Sequence, residues 1–378
     1  MNKKLFFVFS IDYQLISHRR RVVEAAIQNG YHVTVVAQDT GYRKEIESIG
    51  CDFIELPINR VGTNIFEELK TLRFLYKLYR KEKPQIVHHV SIKVSLWGGL
   101  AARLARVNGV VNAINGLGVF FESGELDSMV KKVFMRIIRF SNHRKNCVTI
   151  FQNNDDKGFF VNNHGIKPEQ CRMISGSGVD LEEFAYSEVP ADLPMKIVFT
   201  SRMVKEKGVL DIIEAAKILR EKYYDKIQFQ LCGLIETSPT AIPSSLLETE
   251  CDGKYLCYMG HVKNVKQVLT ESTIVLLPSY YREGIPKSLI EATSIGRPIV
   301  TTDWVGCRET VKDGVNGYII PIKSPTVLAE RLEQIITNPE LAKRMGEASR
   351  QLAETMFSIN TVVDAHLTIY QELLDKCK

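Results

Sequence analysis

No two cysteines of this chain stand in C-x-x-C spacing; the eight (51, 147, 171, 232, 251, 257, 307 and 377) are scattered over 378 residues. That excludes the usual signs of a disulfide framework or a structural zinc site and reads as reduced thiols in a cytosolic protein. No stretch approaches the ~20 apolar residues of a membrane-spanning helix. The apolar segment 5–11 is short and polar Asp12 follows it. It is expected to be a first strand, because a signal peptide needs a longer apolar region and a cleavage site. There is no low-complexity tract. No G-x-G-x-x-G follows the first strand of either half, so the fingerprint of a NAD-dependent oxidoreductase is missing. Neither sign of charge dominates: 49 Lys and Arg against 44 Asp and Glu leave +5, too little to name a partner, and no nucleic acid is expected.

What is present is ordinary for a soluble globular protein, with 45% apolar and 25% charged residues. The length exceeds one ordinary core, so two domains are the default. The first half alternates short apolar runs (5–9, 32–37, 52–57, 85–89, 110–114, 147–151) with helical patterns (17–29, 41–49, 64–81, 94–106, 127–143, 155–163). This βαβ rhythm predicts a doubly wound parallel sheet. Ser175-Gly176-Ser177-Gly178-Val179-Asp180 and a polar stretch to Pro194 interrupt it. The rhythm then restarts, with strands at 196–200, 228–231, 255–258, 274–277, 298–302 and 317–320. The expected domains are 1–175 and 195–357, joined by a linker over 176–194 and facing each other across a cleft. The helical segment 358–378 is a candidate to pack back on the first domain.

The most informative stretch is Glu283-Gly284-Ile285-Pro286-Lys287-Ser288-Leu289-Ile290-Glu291. It follows the apolar run 274–277 and opens a helix. Strand, tight loop and helix in that order bring backbone N–H groups and the positive end of a helix dipole to the carboxyl edge of a sheet, where anions bind. Two carboxylates beside such a site suit hydroxyl recognition on a sugar and a ribose. Each also has a plainer reading, Glu283 as a helix-start acid and Glu291 as a helix-surface acid. Arg202 and Lys207, in the loop after the first strand of the second half, would point into the same crevice. Two fixed cations there can stabilise the charge that builds on a departing diphosphate without a metal. Gly260, His261 and Val262 end another strand, and their backbone could read the edge of a flat base.

Signals in the first half are weaker. Asn115-Gly116-Leu117-Gly118-Val119-Phe120-Phe121 follows a strand and could line the acceptor side. Ser17-His18-Arg19 opens the first helix at the same edge. His88 and His89 end a strand, and one of them, with His89 the candidate, is expected to face the cleft. Lys131, Lys132, Arg136, Arg139, Arg144 and Lys145 interleave with apolar residues and no acid. A basic helix over 127–145 of this kind suits an anionic membrane surface; a core helix with a basic outer face suits it equally.

Together these motifs resemble the family 4 glycosyltransferases, retaining enzymes of the GT-B fold. The likeness rests on the Glu283…Glu291 pair, Arg202 with Lys207, the 175–180 linker and the late turn Asp313-Gly314-Val315-Asn316-Gly317. The resemblance implies an α/β fold of two facing doubly wound Rossmann-like domains with the site between them. It implies a catalytic set of Glu283, Arg202 and Lys207, with Glu291 on the ribose. It also implies donor contacts from Gly284, Ile285, Pro286, Lys287 and Ser288. No metal or other cofactor is implied, the UDP-sugar being a substrate. The first half is similar to bacterial N-acetylgalactosaminyltransferases that extend a diphospho-undecaprenol-linked sugar. That implies a polyprenyl-diphosphate-linked saccharide as acceptor, with Ser17, His18, Arg19, His89, Asn115 and Gly116 on its side. It also implies a peripheral place on the inner face of the cytoplasmic membrane. The chain departs from the family in having Ser10-Ile11-Asp12-Tyr13-Gln14 where many members carry a glycine-rich loop, and Asn115 where the nearest subgroup tends to have an acid. A GDP-sugar transferase, a nucleotide-sugar epimerase and a non-catalytic sugar-nucleotide-binding subunit stay open as alternatives.

Overall fold

The computed structural model describes residues 3–59, 64–117, 128–236 and 238–376. It divides into two compact units, Met1–Ser177 with Ile359–Lys378, and Gly178–Ser358.

The first unit holds β1 (Lys3–Ile11), β2 (Tyr31–Gln38), β3 (Asp52–Glu55), β4 (Ile86–Val90), β5 (Gly109–Ile114), β6 (Cys147–Phe151) and β7 (Cys171–Met173). They form one parallel sheet in the order β3-β2-β1-β4-β5-β6-β7. The central strands are near-continuous apolar runs because helices cover both faces. Its principal helices are α1 (Tyr13–His18), α2 (Arg20–Gln28), α3 (Ile65–Glu82), α4 (Ile92–Ala105) and α5 (Ser128–Asn142). Asn64 starts α3 by accepting a hydrogen bond from the Phe66 amide.

The second unit holds β8 (Met195–Thr200), β9 (Ile227–Cys232), β10 (Leu256–Gly260), β11 (Ile274–Leu277), β12 (Ile299–Thr302) and β13 (Gly317–Ile320). These too are parallel, in the order β10-β9-β8-β11-β12-β13. Helices α6 (Val209–Tyr223) and α7 (Lys287–Ile295) follow β8 and β11. Both sheets therefore reverse their strand order once, at β1/β4 and at β8/β11, and ligands of such sheets sit outside the carboxyl ends at that reversal.

The structure places three segments as follows. The stretch 178–194 lies with the second unit: Ser187 donates its amide to Ile295 O at 3.0 Å, and buried Arg297 donates to Ser187 O at 2.9 Å. The last helix, α8 (Ile359–Asp375), completes the first unit, burying Val362, Ile369, Tyr370 and Leu373 in the core beside β1 and β4. The basic helix expected over 127–145 ends at Asn142, so Arg144 and Lys145 lie in the turn to β6. Asp127 lies outside the described residues. On α5, Phe134, Met135 and Ile138 face the core, while Met129, Val130, Val133 and Phe140 are exposed among Lys132, Arg136 and Arg139.

Candidate active site

In the second unit the two loops at the β8/β11 reversal are laced together by backbone. Glycine is required at 208: its φ is 81°, and a Cβ there would lie 2.2 Å from Pro278 O. Tyr280 donates its amide to Glu206 O at 2.8 Å. Gly306 plays the same part on the other side, since a Cβ on it would meet Gly284 O at 2.0 Å. The loop that carries Glu283 is thus clamped between its neighbours.

This clamp brings together Lys207, Glu283, Arg202 and Tyr281. Lys207 is nearly buried, and its ammonium is paired with Glu283 Oε1. The ring of Tyr281 takes both cations on its π system, Lys207 Nζ at 5.4 Å and the Arg202 guanidinium at 5.5 Å from its centroid. Arg202 Nη1 also donates to Glu236 Oε2 at 3.0 Å. Burial alone would lower the pKa of Arg202, but Glu236 and Tyr281 hold it above its ordinary value. Glu291 is buried on α7 with Lys287 Nζ 3.3 Å away. Burial raises its carboxyl above the ordinary range, against the pull of Lys287.

Pro286 N-caps α7 with extended backbone, leaving the first-turn amides of Lys287 and Ser288 without helical acceptors. Gly284, Ile285 and Pro286 are buried, and Ile285 packs with Val179, Ile290, Leu352 and Phe357. Gly260 has φ 62°, and its carbonyl accepts the Gly233 amide at 2.8 Å. His261 is exposed and Val262 half-buried just beyond it, at the end of edge strand β10.

In the first unit Asp12 organises the loop that follows β1. It is fully buried, caps α1 at the Tyr13 amide, and accepts from the amides of Thr40 at 2.8 Å and Tyr42 at 2.9 Å. Burial would raise its pKa, but these bonds hold it below the usual carboxylate value. Ser17 is half-buried and donates its hydroxyl to Tyr13 O at 2.8 Å; His18 is exposed. Arg19 is only 2% exposed. Its guanidinium donates to His18 O at 2.9 Å and to Asn115 Oδ1 at 3.3 Å, and Gln152 Nε2 donates to the same oxygen at 3.1 Å. Burial lowers Arg19 to about 10, and no carboxylate pairs with it among the described residues. Gly116 follows Asn115 with φ 105°. The structure therefore unites Arg19 and Asn115, which are 96 positions apart. Gly118, Val119, Phe120 and Phe121 lie outside the described residues.

The histidine expectation is corrected. Neither His88 nor His89 faces an opening; both rings are fully buried. Alternation along a strand covered on both faces sends one ring into each layer. His89 Nδ1–H donates to Asn112 Oδ1 at 2.7 Å, and its Nε2 accepts from the Tyr79 hydroxyl at 3.0 Å. Burial pushes it down to about 4. His88 shares a 2.7 Å hydrogen bond with the Tyr370 hydroxyl of α8 and stacks near His366. Burial, with His366 and Arg19 nearby, lowers its pKa as well.

Asp12, Gln152, Glu236 and Tyr281 were not anticipated as part of these sites. Tyr281 had a signal, being the loop aromatic just before Arg282-Glu283. Asp12 had one too, as the first polar residue after a buried strand.

Two parallel sheets, each with one reversal of strand order and with cations and carboxylates gathered at the second, define a doubly wound α/β architecture suited to binding an anionic ligand there. The family described as "Glycosyl transferases group 1" matches residues 183–352, and "Glycosyl transferase 4-like" matches residues 5–153. Between them these two glycosyltransferase family matches span most of the chain, and the fold is GT-B. It is 23% identical over 369 residues to an N,N'-diacetylbacillosaminyl-diphospho-undecaprenol alpha-1,3-N-acetylgalactosaminyltransferase of Campylobacter jejuni, spanning 94% of this chain and 95% of that protein. It is 29% identical over 324 residues to an Escherichia coli UDP-Gal:alpha-D-GlcNAc-diphosphoundecaprenol alpha-1,3-galactosyltransferase, spanning 82% and 81%. Among solved structures, a glycosyltransferase from Rickettsia africae superposes with TM-score 0.79 at 18% identity over 99% of both chains. Anabaena HepE in complex with UDP and glucose gives 0.72 at 16% identity, over 100% of this chain and 99% of that one.

Proposed function

We propose that this glycosyltransferase moves a hexose from a UDP-sugar to a polyprenyl-diphosphate-linked saccharide, with retention at the sugar carbon, in bacterial surface-glycan or glycoprotein-glycan assembly. N-acetylgalactosamine is the favoured sugar. One observation carries the reading: Arg202, Lys207 and Glu283 converge at the strand-order reversal of the second sheet, around an aromatic ring, at the start of a helix. The two relatives named above, which act on diphospho-undecaprenol-linked sugars, support the acceptor class.

In this reading the bond between the sugar carbon and the diphosphate breaks, and its electrons go to the diphosphate. Arg202 and Lys207 receive that charge, assisted by the amides at the start of α7. Glu283 faces the sugar and Glu291 the ribose. The acceptor hydroxyl attacks the face that the diphosphate leaves and gives its proton to an oxygen of the departing diphosphate, and no metal takes part. The first unit supplies the acceptor side through Arg19 and Asn115, and the exposed apolar and basic face of α5 rests on the cytoplasmic membrane.

The Escherichia coli relative favours galactose as a second reading of the donor. The test is to incubate the protein with UDP-GalNAc, UDP-GlcNAc, UDP-Gal and GDP-mannose, with and without a short polyprenyl-diphosphate sugar, and to weigh the lipid product. A mass gain with one UDP-sugar supports the reading and names the donor. Conversion of a UDP-sugar without acceptor, or a gain only with GDP-mannose, refutes it.

A further inference from the structure

At the amino edge of the first sheet, the edge opposite to Arg19 and Asn115, four cations line one cavity. Helix α4 ends at Ala105, and Arg106 takes a left-handed backbone, φ 57°, that turns the chain toward β5. Arg144 and Lys145 lie in the next such turn, between α5 and β6. The two turns meet because α4 and α5 both run antiparallel to the strands they connect. Between them is an open cavity of about 470 Å³ lined by Arg103, Arg106, Arg144, Lys145 and Asn146, with no carboxylate.

The arrangement is built rather than incidental. Arg144 is fixed across the turn, donating from Nη2 to the carbonyls of Val107 and, at 2.9 Å, Asn108. The Arg103 guanidinium sits 5.5 Å from the centroid of half-exposed Phe140. Some surface arginines stand against acids, as Arg20 does against Glu24 and Glu45, and Arg220 against Asp252. Among the described residues no ion pair joins Arg103, Arg106 or Lys145 to an acid, and these like charges share one open cavity, an arrangement that a bound anion stabilises.

We propose that this cavity is a phosphate-binding site, taking a phosphate group either free or as the head of an anionic phospholipid. Several guanidinium forks suit the oxygens of one phosphate, and a doubly charged anion offsets the repulsion among the cations. The site stands apart from the donor and acceptor residues and does not rest on the transferase reading.

The test uses the full chain and the double variant Arg103→Gln/Arg106→Asn, since asparagine accepts a left-handed backbone. Neither residue belongs to the donor or acceptor sites or to α5. Circular dichroism melting checks that the variant folds, and Arg103→Lys keeps the charge while removing the fork. Inorganic phosphate is titrated calorimetrically in phosphate-free buffer. Separately, flotation is measured with phosphatidylcholine vesicles with and without phosphatidylglycerol. The double variant is expected to bind at least about tenfold more weakly in one of the assays. Transfer to a detergent-dispersed acceptor is expected to be unchanged. Loss of phosphate heat identifies a soluble phosphate; loss of phosphatidylglycerol-dependent flotation alone identifies a lipid head. A folded double variant that matches the parent in both assays, or a parent that binds neither probe, overturns the proposal.

Discussion

At the strand-order reversal of the second sheet, a lysine and a glutamate meet between two clamped loops, with an arginine beside them on the same tyrosine ring. At the matching reversal of the first sheet, the hydroxyls of Ser10 and Ser91 lie 3.2 Å apart, and Arg19 is buried on the oxygen of Asn115. One topology thus supports two electrostatic designs. In the second unit Lys207 and Arg202 each hold a carboxylate, so in the proposed reading an incoming diphosphate exchanges with Glu283 and Glu236. In the first unit, among the described residues, Arg19 has no carboxylate to exchange, and its buried charge is met by the dipoles of His18 O and Asn115 Oδ1. A site built for a departing anion gains from the first arrangement, because charge is held in place before the reaction. A site that must only recognise an anion gains from the second.

The largest effect should come from breaking the clamped pair. Glu283→Gln and Lys207→Ala are each expected to lower kcat by about 10²-fold or more, with a smaller change in KM. Lys207→Ala should also lower Tm, because removing one partner of a largely buried pair leaves the other uncompensated. Steady-state kinetics with a fixed donor would decide this. A Glu283→Gln enzyme with near-normal turnover would sink the donor-site assignment.

Acid should separate the units next. His89 and His366 are pushed down to about 4 and about 3 by burial, and His88 is lowered as well. An unfolded histidine titrates near 6.5, so below that pH the unfolded chain binds protons that the native chain refuses. Stability of the first unit therefore falls as pH drops from 6.5, by roughly 1.4 kcal/mol per pH unit for each such histidine. The second unit has one histidine, His261, and it is exposed. Glu291 works in the opposite sense: its raised carboxyl binds a proton more tightly when folded, so its contribution is lost as pH rises. Hydrogen exchange at pH 7.5 and pH 5 should show β4 losing protection while β11 keeps it. Equal loss in both sheets would end the comparison.

Much of this contrast could be read from sequence, but unevenly. The run Ile274–Leu277 is a strand with the predicted ends, because a buried parallel strand is continuously apolar and Pro278 stops it. Arg202, Lys207 and Glu283 are legible from loop order together with the family resemblance, since a loop after a strand must lie at the carboxyl edge. His88 and His89 misled because strand alternation does not say which faces are covered, and here α8 returns from the far end of the chain to cover one. Arg144 and Lys145 misled because nothing between Asn142 and Lys145 is a glycine or proline that would mark the helix end. The three-residue strand β7 is too short to show any period.

Arg19→Met tests the recognition half of the comparison. The expected result is an acceptor KM raised about tenfold, as for loss of a charged hydrogen bond, with donor KM and acceptor-independent UDP release unchanged. Tm should hold or rise, since a buried charge without a carboxylate is replaced by apolar volume. If Tm falls and both KM values shift together, Arg19 is a packing residue and the first unit recognises its anion elsewhere.

The smallest effect is at Glu236, and its sign is informative. Its pair with Arg202 is partly exposed, with 40% and 45% of the two side chains open to solvent, and such pairs contribute about 0.2–1 kcal/mol. If that pair must open for the diphosphate, Glu236→Gln frees Arg202 at little cost to the fold. Donor KM should then fall about two- to fivefold, with kcat nearly constant. The gain should shrink at high salt, which screens the pair in the parent protein. A raised KM would mean that Glu236 holds Arg202 in its binding position instead of competing for it, and the second unit would then recognise its anion with a positioned cation, as the first is argued to do.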